Sequence, residues 1–490
     1  MSSLIALHRL RPLGLAVSLA ALAGCTLGPD YQRPELPALG EFRQVEGWKL
    51  AEPADVALSD WWRLYDDPLL DQLHERLRQS NQTLAQAVAQ YREAQAVVRG
   101  ARASLFPSVS ADASKTRSGQ GAGTSTRVID GTAVSSSGGG ISQSYDLSLG
   151  VSWELDLWGR LRRQLESDRA SLDASAAELA AVRLSQQSEL TQNYLQLRVI
   201  DAQRRLLADT VEAYARSLRI TENQRRAGIV TRADVAQART QLKSTEAQAI
   251  DLEYQRAQLE HAIAVLIGVP PGQFQLASRD ALPSLPQVPR LLPSQLLERR
   301  PDVAAAERQV IAANAQIGVA KTAWFPSLSL SASGGYRSGV LNEWIETPNR
   351  FWSIGPQFAM TLFDGGLIRS RIEQAEAGYD RTVASYRQTV LDSLREVEDY
   401  LVQLRVLEQE SGVQGEAVGS AREALELVEN QYRAGTVDYL NVVSAQATAL
   451  SNERTELTLL GNRLLASVQL IAALGGGWHS EGLAEPLLEE

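Results

Sequence analysis

The chain is an internal duplication, and this constrains its fold more than any other feature. Glu222-Asn-Gln-Arg-Arg-Ala-Gly228 returns as Glu429-Asn-Gln-Tyr-Arg-Ala-Gly435, an offset of 207. Phe106-Pro-Ser-Val-Ser110 returns as Phe325-Pro-Ser-Leu-Ser329, an offset of 219, and Ser148-Leu-Gly150 as Ser353-Ile-Gly355, at 205. The order of the matches is kept, so the differing offsets are insertions and deletions, chiefly in loops. A length of 490 residues sets a soft prior of roughly three domains. The duplication replaces it with a leader (1–24), an extended segment (25–68), a first repeat (69–267), a connector (268–294), a second repeat (295–474) and a tail (475–490).

Proline placement says what each repeat contains. Pro107 is followed by no proline until Pro270, and Pro356 by none until Pro486, whereas seven of the eighteen prolines fall between Pro270 and Pro301. Proline in a helix interior costs about 3 kcal/mol, so the two gaps can hold long helices and the dense stretch reads as the connector. Within the gaps the apolar spacing is heptad-like. Val390, Leu394, Val397, Leu401 and Leu404 run 4-3-4-3; Ile200, Leu207 and Tyr214 are seven apart, as are Val211 and Leu218. This is the seam of a coiled coil. Leu161 to Ala227 contains no glycine; as one helix it makes a rod of ~100 Å.

Elsewhere the period changes to two. Tyr145, Leu147, Leu149, Val151, Trp153 and Leu155 alternate with mostly small or polar residues, as do positions 352 to 362. Simpler partners lie upstream, at Val109, Ala111 and Ala113, and at Leu328, Leu330 and Ala332. The spacing predicts two hairpins, about 107–155 and 326–362, each with one apolar and one polar face. Their runs approach the ~9–11 residues of a tilted strand crossing a bilayer. The stretches SGQGAGTSTRVIDGTAVSSSGGG, which contains Gly119 to Gly123, and GGYRSGVLNEWIETPN read as the connecting loops. Five of nine tryptophans (Trp153, Trp158, Trp324, Trp344, Trp352) lie in or beside the hairpins, where a membrane-interface girdle places aromatics. Phe106 and Phe325 stand at the hairpin entries. Four strands cannot close a membrane barrel, for which about eight is the usual minimum, and an open edge in lipid leaves unpaired backbone groups. Two or three copies would supply eight or twelve strands.

The N-terminus accounts for the lone cysteine. Arg9 and Arg11 precede an apolar run, Leu13 to Ala23, too short to span a bilayer. The run ends in Leu22-Ala23-Gly24-Cys25, which resembles the lipobox of bacterial lipoproteins. That resemblance implies cleavage before Cys25 and its acylation; Thr26, where aspartate signals inner-membrane retention, implies the outer membrane. Loss of Arg9 and Arg11 with residues 1–24 takes the net charge from −10 to −12. One cysteine excludes a disulfide framework and multi-cysteine metal sites, and His8, His74, His261 and His479 show no metal-ligand spacing. The acidic balance argues against nucleic acid. No mature stretch has eighteen apolar residues, so no transmembrane helix is expected.

Taken in order, the lipobox, Gly28-Pro29-Asp-Tyr31, both FPS entries, Trp158-Gly159-Arg160, Gly268-Val-Pro-Pro-Gly272, Arg299-Arg-Pro-Asp302, Leu362-Phe-Asp-Gly-Gly366 and the two RAG turns resemble the outer membrane factor (TolC-type) family, in its lipoprotein branch serving tripartite multidrug efflux. The resemblance covers essentially the whole mature chain. It implies a mixed α and transmembrane-β fold: a homotrimer whose twelve-stranded outer-membrane barrel, four strands per chain, continues into a periplasmic α-helical coiled-coil barrel. It implies a passive exit duct for drugs or other small toxic compounds, completed by a periplasmic adaptor and an inner-membrane pump. The turns near 226–230 and 433–437, with Arg226, Ala227, Gly228, Arg433, Ala434 and Gly435, become adaptor-contacting tips. Asn441 and Ser444 lie where the family carries its periplasmic constriction, with Asp438 nearby at a different helical position; Asp234 aligns with Asn441 and joins them, so the acidic ring is depleted in the second repeat. The only attached group implied is lipid on Cys25.

No GxSxG, HExxH, Walker loop or cysteine–histidine pair is present, so no catalytic constellation competes. Three readings stay open beside the drug duct. They are a channel for type I protein secretion or metal-ion export, a lipid-anchored adaptor with one coiled-coil hairpin, and a coiled-coil lipoprotein without a pore.

Overall fold

The computed structural model describes residues 26–36, 60–129, 132–279, 283–286 and 300–478. Cys25, the leader, the tail and most of the Pro-rich connector lie outside the described residues. After a short 3-10 turn at Trp61–Tyr65, the order is α1 (Pro68–Ser80), α2 (Gln82–Ala103), β1 (Ser108–Ile129), β2 (Thr132–Leu155), α3 (Arg160–Arg226) and α4 (Arg232–Leu266). The second copy follows as α5 (Pro301–Lys321), β3 (Ser327–Ser338), β4 (Arg350–Ala359), α6 (Leu367–Arg433) and α7 (Tyr439–Ala473). Both α3 and α6 have 67 residues, and α4 and α7 have 35. Their bounds differ by 207 throughout.

Two compact units are present. The first comprises residues 1–33, 93–172 and 308–383 and contains one antiparallel sheet of order β1-β2-β3-β4. The expected loop in the first hairpin is instead strand: β1 and β2 pair almost to their turn, from Ser108↔Ser152 to Ile129↔Thr132, with one register shift between Gln120 and Gly123. A ladder is made of backbone bonds, so a run of glycine and serine can extend it. Likewise β3 continues through Gly334-Gly-Tyr-Arg-Ser338, and β4 stops at Ala359 rather than at 362.

The second unit comprises residues 34–92, 173–307 and 384–490 and is helical. Its main core gathers Trp61, Tyr65, Leu70, Leu73 and Leu77 with Leu190, Leu197, Ile263, Val397, Leu464 and Val468. The heptad positions Ile200, Leu207, Tyr214, Val390, Val397, Leu401 and Leu404 are buried, as a packed seam requires. One joint recurs in both copies. Asn81, just before α2, donates from Nδ2 to the Leu266 carbonyl at the end of α4 (2.8 Å). Its counterpart Arg300, just before α5, donates to the Ala473 carbonyl at the end of α7 (3.0 Å).

Candidate functional site

Strand register decides the chemistry of the sheet's two faces. Val109 pairs with Val151, Val151 with Ala332 and Ala332 with Ile354. The neighbouring rungs Ala111–Leu149–Gly334–Trp352, Trp153–Leu330–Pro356 and Leu155–Leu328–Phe358 fall on the same face. Alternation puts Ser110, Gly150, Ser333 and Ser353 on the other, with Asp112, Ser148, Gly335 and Asp146 beside them. The apolar face is uncovered in the single chain: Val109, Leu149, Trp352, Ile354 and Phe358 are each at least 60% exposed. On β2 it runs from Leu147 to Leu155, ~30 Å along the strand. Lys115 and Arg350 mark its far limit. The opposite face carries an Arg337–Asp146 ion pair at 2.6 Å. A contiguous exposed apolar band of this size marks an interaction surface.

Of the aromatics singled out from the sequence, Phe106, Trp153, Trp158, Trp324 and Phe325 sit where this band meets the helices, while Trp352 lies toward its far end. Trp153 Nε1 donates to the Leu105 carbonyl (3.0 Å) and Trp158 Nε1 to that of Pro326 (2.7 Å). The Trp158 and Phe325 rings lie 4.9 Å apart. Phe106, Trp324, Phe325 and Trp352 are exposed. The indole donors of Trp153 and Trp158 thus have partners, while their rings remain at the edge of the apolar band, the habit of interfacial tryptophan.

The segment that follows Cys25 is tied to this same unit. Leu27 N donates to the Trp158 carbonyl (3.2 Å). The buried Arg163 guanidinium donates to the carbonyls of Leu27 (3.0 Å) and Gly28 (3.4 Å) and to Asp30 Oδ1 (3.0 Å). Asn314 Nδ2 adds a bond to the Pro29 carbonyl (2.9 Å). Gly28 has φ +104°, and a Cβ there would stand 2.5 Å from Gly318 Cα; the chain crosses α5 glycine on glycine. Nothing in the sequence singles out Arg163. The Gly28-Pro-Asp-Tyr31 motif is legible in the sequence, but nothing there names its cationic partner 135 residues away.

The two tips belong to the helical unit. At each, the helix ends with a glycine in the left-handed region: Gly228 (φ +77°) and Gly435 (φ +76°). The bonding repeats as well. Gly228 N donates to the Arg225 carbonyl and Ile229 N to that of Gln224; Gly435 N donates to the Tyr432 carbonyl and Thr436 N to that of Gln431. These are Schellman closures. Arg226, Ala227, Arg433 and Ala434 are exposed, with Arg226 on Asn223 and Arg433 on Asn430 (3.0 Å) and Glu429 (3.1 Å). Past the turns the copies part. Thr231 and Asp234 form a capping box at the start of α4, with the Asp234 carboxylate accepting from Thr231 N and Oγ1 (both 2.8 Å). Asp438 is the corresponding cap of α7 but makes no side-chain capping bond. Asp438, Asn441 and Ser444 are exposed.

Among the described residues no group of three His, Cys, Asp or Glu side chains could hold a metal, and no helix is long and apolar enough to cross a membrane.

Comparison with known proteins gives a consistent answer. Residues 73–269 and 292–476 match the family model described as outer membrane efflux protein. The toluene efflux pump outer membrane protein TtgC of Pseudomonas putida is 31% identical over 477 residues, 96% of either chain. The cation efflux system protein CusC of Escherichia coli is 29% identical over 465 residues, 94% of this chain and 97% of the relative. Among solved structures, the outer-membrane channel OprN superposes with a TM-score of 0.83 at 32% identity, over 93% of this chain and all of that one.

Proposed function

The chain belongs to the outer membrane efflux protein family, and from that premise we propose that three copies form the exit duct through which a tripartite pump discharges drugs or other small toxic compounds. It is an outer-membrane efflux channel of a Gram-negative cell, extending into the periplasm. The observation that carries the assembly of several copies is the four-stranded sheet, apolar on one face and serine- and glycine-rich on the other, ending in edges β1 and β4; the family resemblance selects three. Unpaired edge groups in lipid cost several kcal/mol each. Three copies close twelve strands, apolar outward and polar toward water, which is the division a membrane barrel requires.

The remaining assignments follow the same reading. Cys25 carries the lipid anchor, and the clamp on Leu27 and Gly28 holds its attachment two residues from the sheet-bearing unit. The tips at Arg226–Gly228 and Arg433–Gly435 meet a periplasmic adaptor that joins the duct to an inner-membrane pump. Asp438, Asn441 and Ser444, with Asp234, line the narrow end. Asp234 also holds its own helix cap, so its charge serves two ends. Cargo is small and chemically varied, in keeping with relatives named for toluene and for cations; selection lies upstream, at the pump.

Planar-bilayer recording of the purified protein tests the pore. Discrete conductance steps from a complex of three chains are expected; a protein that binds vesicles without conducting would sink the reading. Two further arms test the details. Arg226→Glu with Arg433→Glu should lower export while leaving the trimer intact, and Cys25→Ser should lose palmitate label.

A further inference from the structure

The two tips are copies of one another, yet they carry opposite charge. From residue 219 to 239 the first tip has Arg219, Arg225, Arg226, Arg232 and Arg239 against Glu222 and Asp234, a net +3. The corresponding stretch, 426 to 446, has Arg433 against Glu426, Glu429 and Asp438, a net −2. The difference is made by substitution at matched positions. Arg219 is replaced by Glu426, Arg225 by Tyr432, Arg232 by Tyr439, Arg239 by Gln446 and Thr231 by Asp438. In a chain of net −10, a +3 end is a local exception.

The structure shows what the replacements do. Tyr432 and Tyr439, with rings 5.5 Å apart, join Ala238, Val442 and Val443 in a small core. Tyr432 Oη donates to Gln224 Oε1 (2.8 Å), and Tyr439 Oη lies 3.0 Å from Ser217 Oγ. At the second tip these two positions are spent on packing the hairpins together. At the first tip they remain cationic and exposed. Arg219, Arg225 and Arg232 are exposed and make no ion pair among the described residues. In the same stretch of chain Ile229 and Ile220 are 72% and 55% exposed. Exposed apolar side chains and unpaired guanidinium groups on one hairpin end have the composition of a binding patch, in which arginine is over-represented.

We propose that the first tip is the charge-selective docking point for a helical hairpin whose turn carries carboxylates, and that the second tip rejects that same surface. The proposal rests on the reading of the chain as a duct that meets a periplasmic adaptor, and it names the chemistry of that partner. Carboxylates pair with Arg219, Arg225 and Arg232 while an apolar side chain covers Ile229. At the second tip Glu426 and Asp438 repel the same turn. Opposite charge on the two tips thereby fixes the rotational register of the docked hairpins, since complementarity governs orientation and wrong-partner rejection more than bulk affinity.

The test uses the full-length protein in lipid nanodiscs and a designed antiparallel helical hairpin in two forms, one with glutamates at its turn and one with lysines. The glutamate form should bind the wild type, weakening about tenfold in the triple variant Arg219→Glu/Arg225→Glu/Arg232→Glu, as three exposed ion pairs allow. It should weaken further as salt rises. A second variant, Glu426→Arg/Asp438→Arg, should gain affinity for the glutamate form. Equal binding of both hairpins to wild type, or unchanged affinity in both variants, overturns the proposal. So does charge-dependent binding of purified peptidoglycan without binding of the hairpin, which would assign the patch to the cell wall. Bilayer conductance is read on the same preparations. A conducting pore with charge-blind tips removes only this proposal, whereas a protein that does not conduct removes the duct reading and this proposal with it.

Discussion

The two repeats agree to the residue in their long helices and disagree in their strands. Helices α3 and α6 have equal length, as do α4 and α7, while the first hairpin has strands of 22 and 24 residues and the second of 12 and 10. The difference lies in what an insertion would do. One extra residue in a coiled-coil helix turns everything beyond it by about 100° and carries the apolar seam off its partner. An extra pair of residues at the far end of a hairpin only adds a rung. The shared length of the helices is therefore imposed by packing along the whole rod. The hairpins share only the stretch in which all four strands pair, and β1 and β2 are free to grow beyond it.

The joint that ends each repeat offers the sharpest way to break this equivalence. Asn81 and Arg300 occupy the same place and bond the same kind of carbonyl, but Arg300 also holds Asp302 (2.6 Å) and Glu396 (2.9 Å). Arg300→Ala strands two carboxylates and should cost about 3 kcal/mol, the low end for breaking a buried pair because both acids keep some solvent contact. Asn81→Ala loses neutral bonds and should cost about 1–2 kcal/mol. Thermal unfolding of the two purified variants compares them directly; equal losses would mean that the charges of the second joint contribute nothing.

Helix α1 separates the repeats by pH. His74 is buried, stacked on Trp62 with ring centroids 3.9 Å apart, and Nε2 lies 2.9 Å from Thr191 Oγ1. Burial lowers its pKa from 6.5 to about 3. The unfolded chain takes up a proton near pH 6.5 that the folded chain refuses, so stability falls as pH drops from 6.5 toward 3. The slope is up to ~1.4 kcal/mol per pH unit, or roughly 2 kcal/mol by pH 5. Denaturant unfolding across that range should show the slope in wild type and flatten in His74→Gln.

The starts of α3 and α6 give a smaller contrast. Gly159 (φ +80°) and Gly366 (φ +98°) are matched, but a Cβ on Gly159 would meet Thr26 at 2.9–3.2 Å, and one on Gly366 meets nothing within 4 Å. Gly159→Ala should cost about 2 kcal/mol from strain plus contact, against about 1 for Gly366→Ala from strain alone. Proteolysis at the segment after Cys25 should quicken only in the first.

These contrasts also show what could be read in advance. The duplication, the rods and the strand faces were legible because each rests on a local period: proline spacing, heptads, alternation. The RAG turns were legible because Gly228 and Gly435 mark helix ends. The extension of β1 and β2 was not, since Ser, Gly and Thr in a ladder carry no apolar alternation, and the same residues serve equally well in a loop. Arg300 stands inside a legible motif and Arg163 in none, and the roles of both depend on carbonyls brought near by folding alone.

The last contrast, at the tips, is the smallest and the most specific. Asp234 was singled out as a constriction residue by its alignment with Asn441, and the structure gives its carboxylate a second duty at the cap of α4. Removing the Thr231 hydroxyl leaves the Asp234 amide in the first turn of α4 without its acceptor, a loss of about 1 kcal/mol. Asp438 makes no such bond, so Asp438→Ala should leave α7 unchanged. Amide hydrogen exchange over 229–236 should quicken roughly fivefold in Thr231→Ala, while 436–443 stays at its wild-type rate in Asp438→Ala. If both tips loosen equally, the second cap is held by a bond that forms only in the assembled duct, and the two ends are more alike than one chain shows.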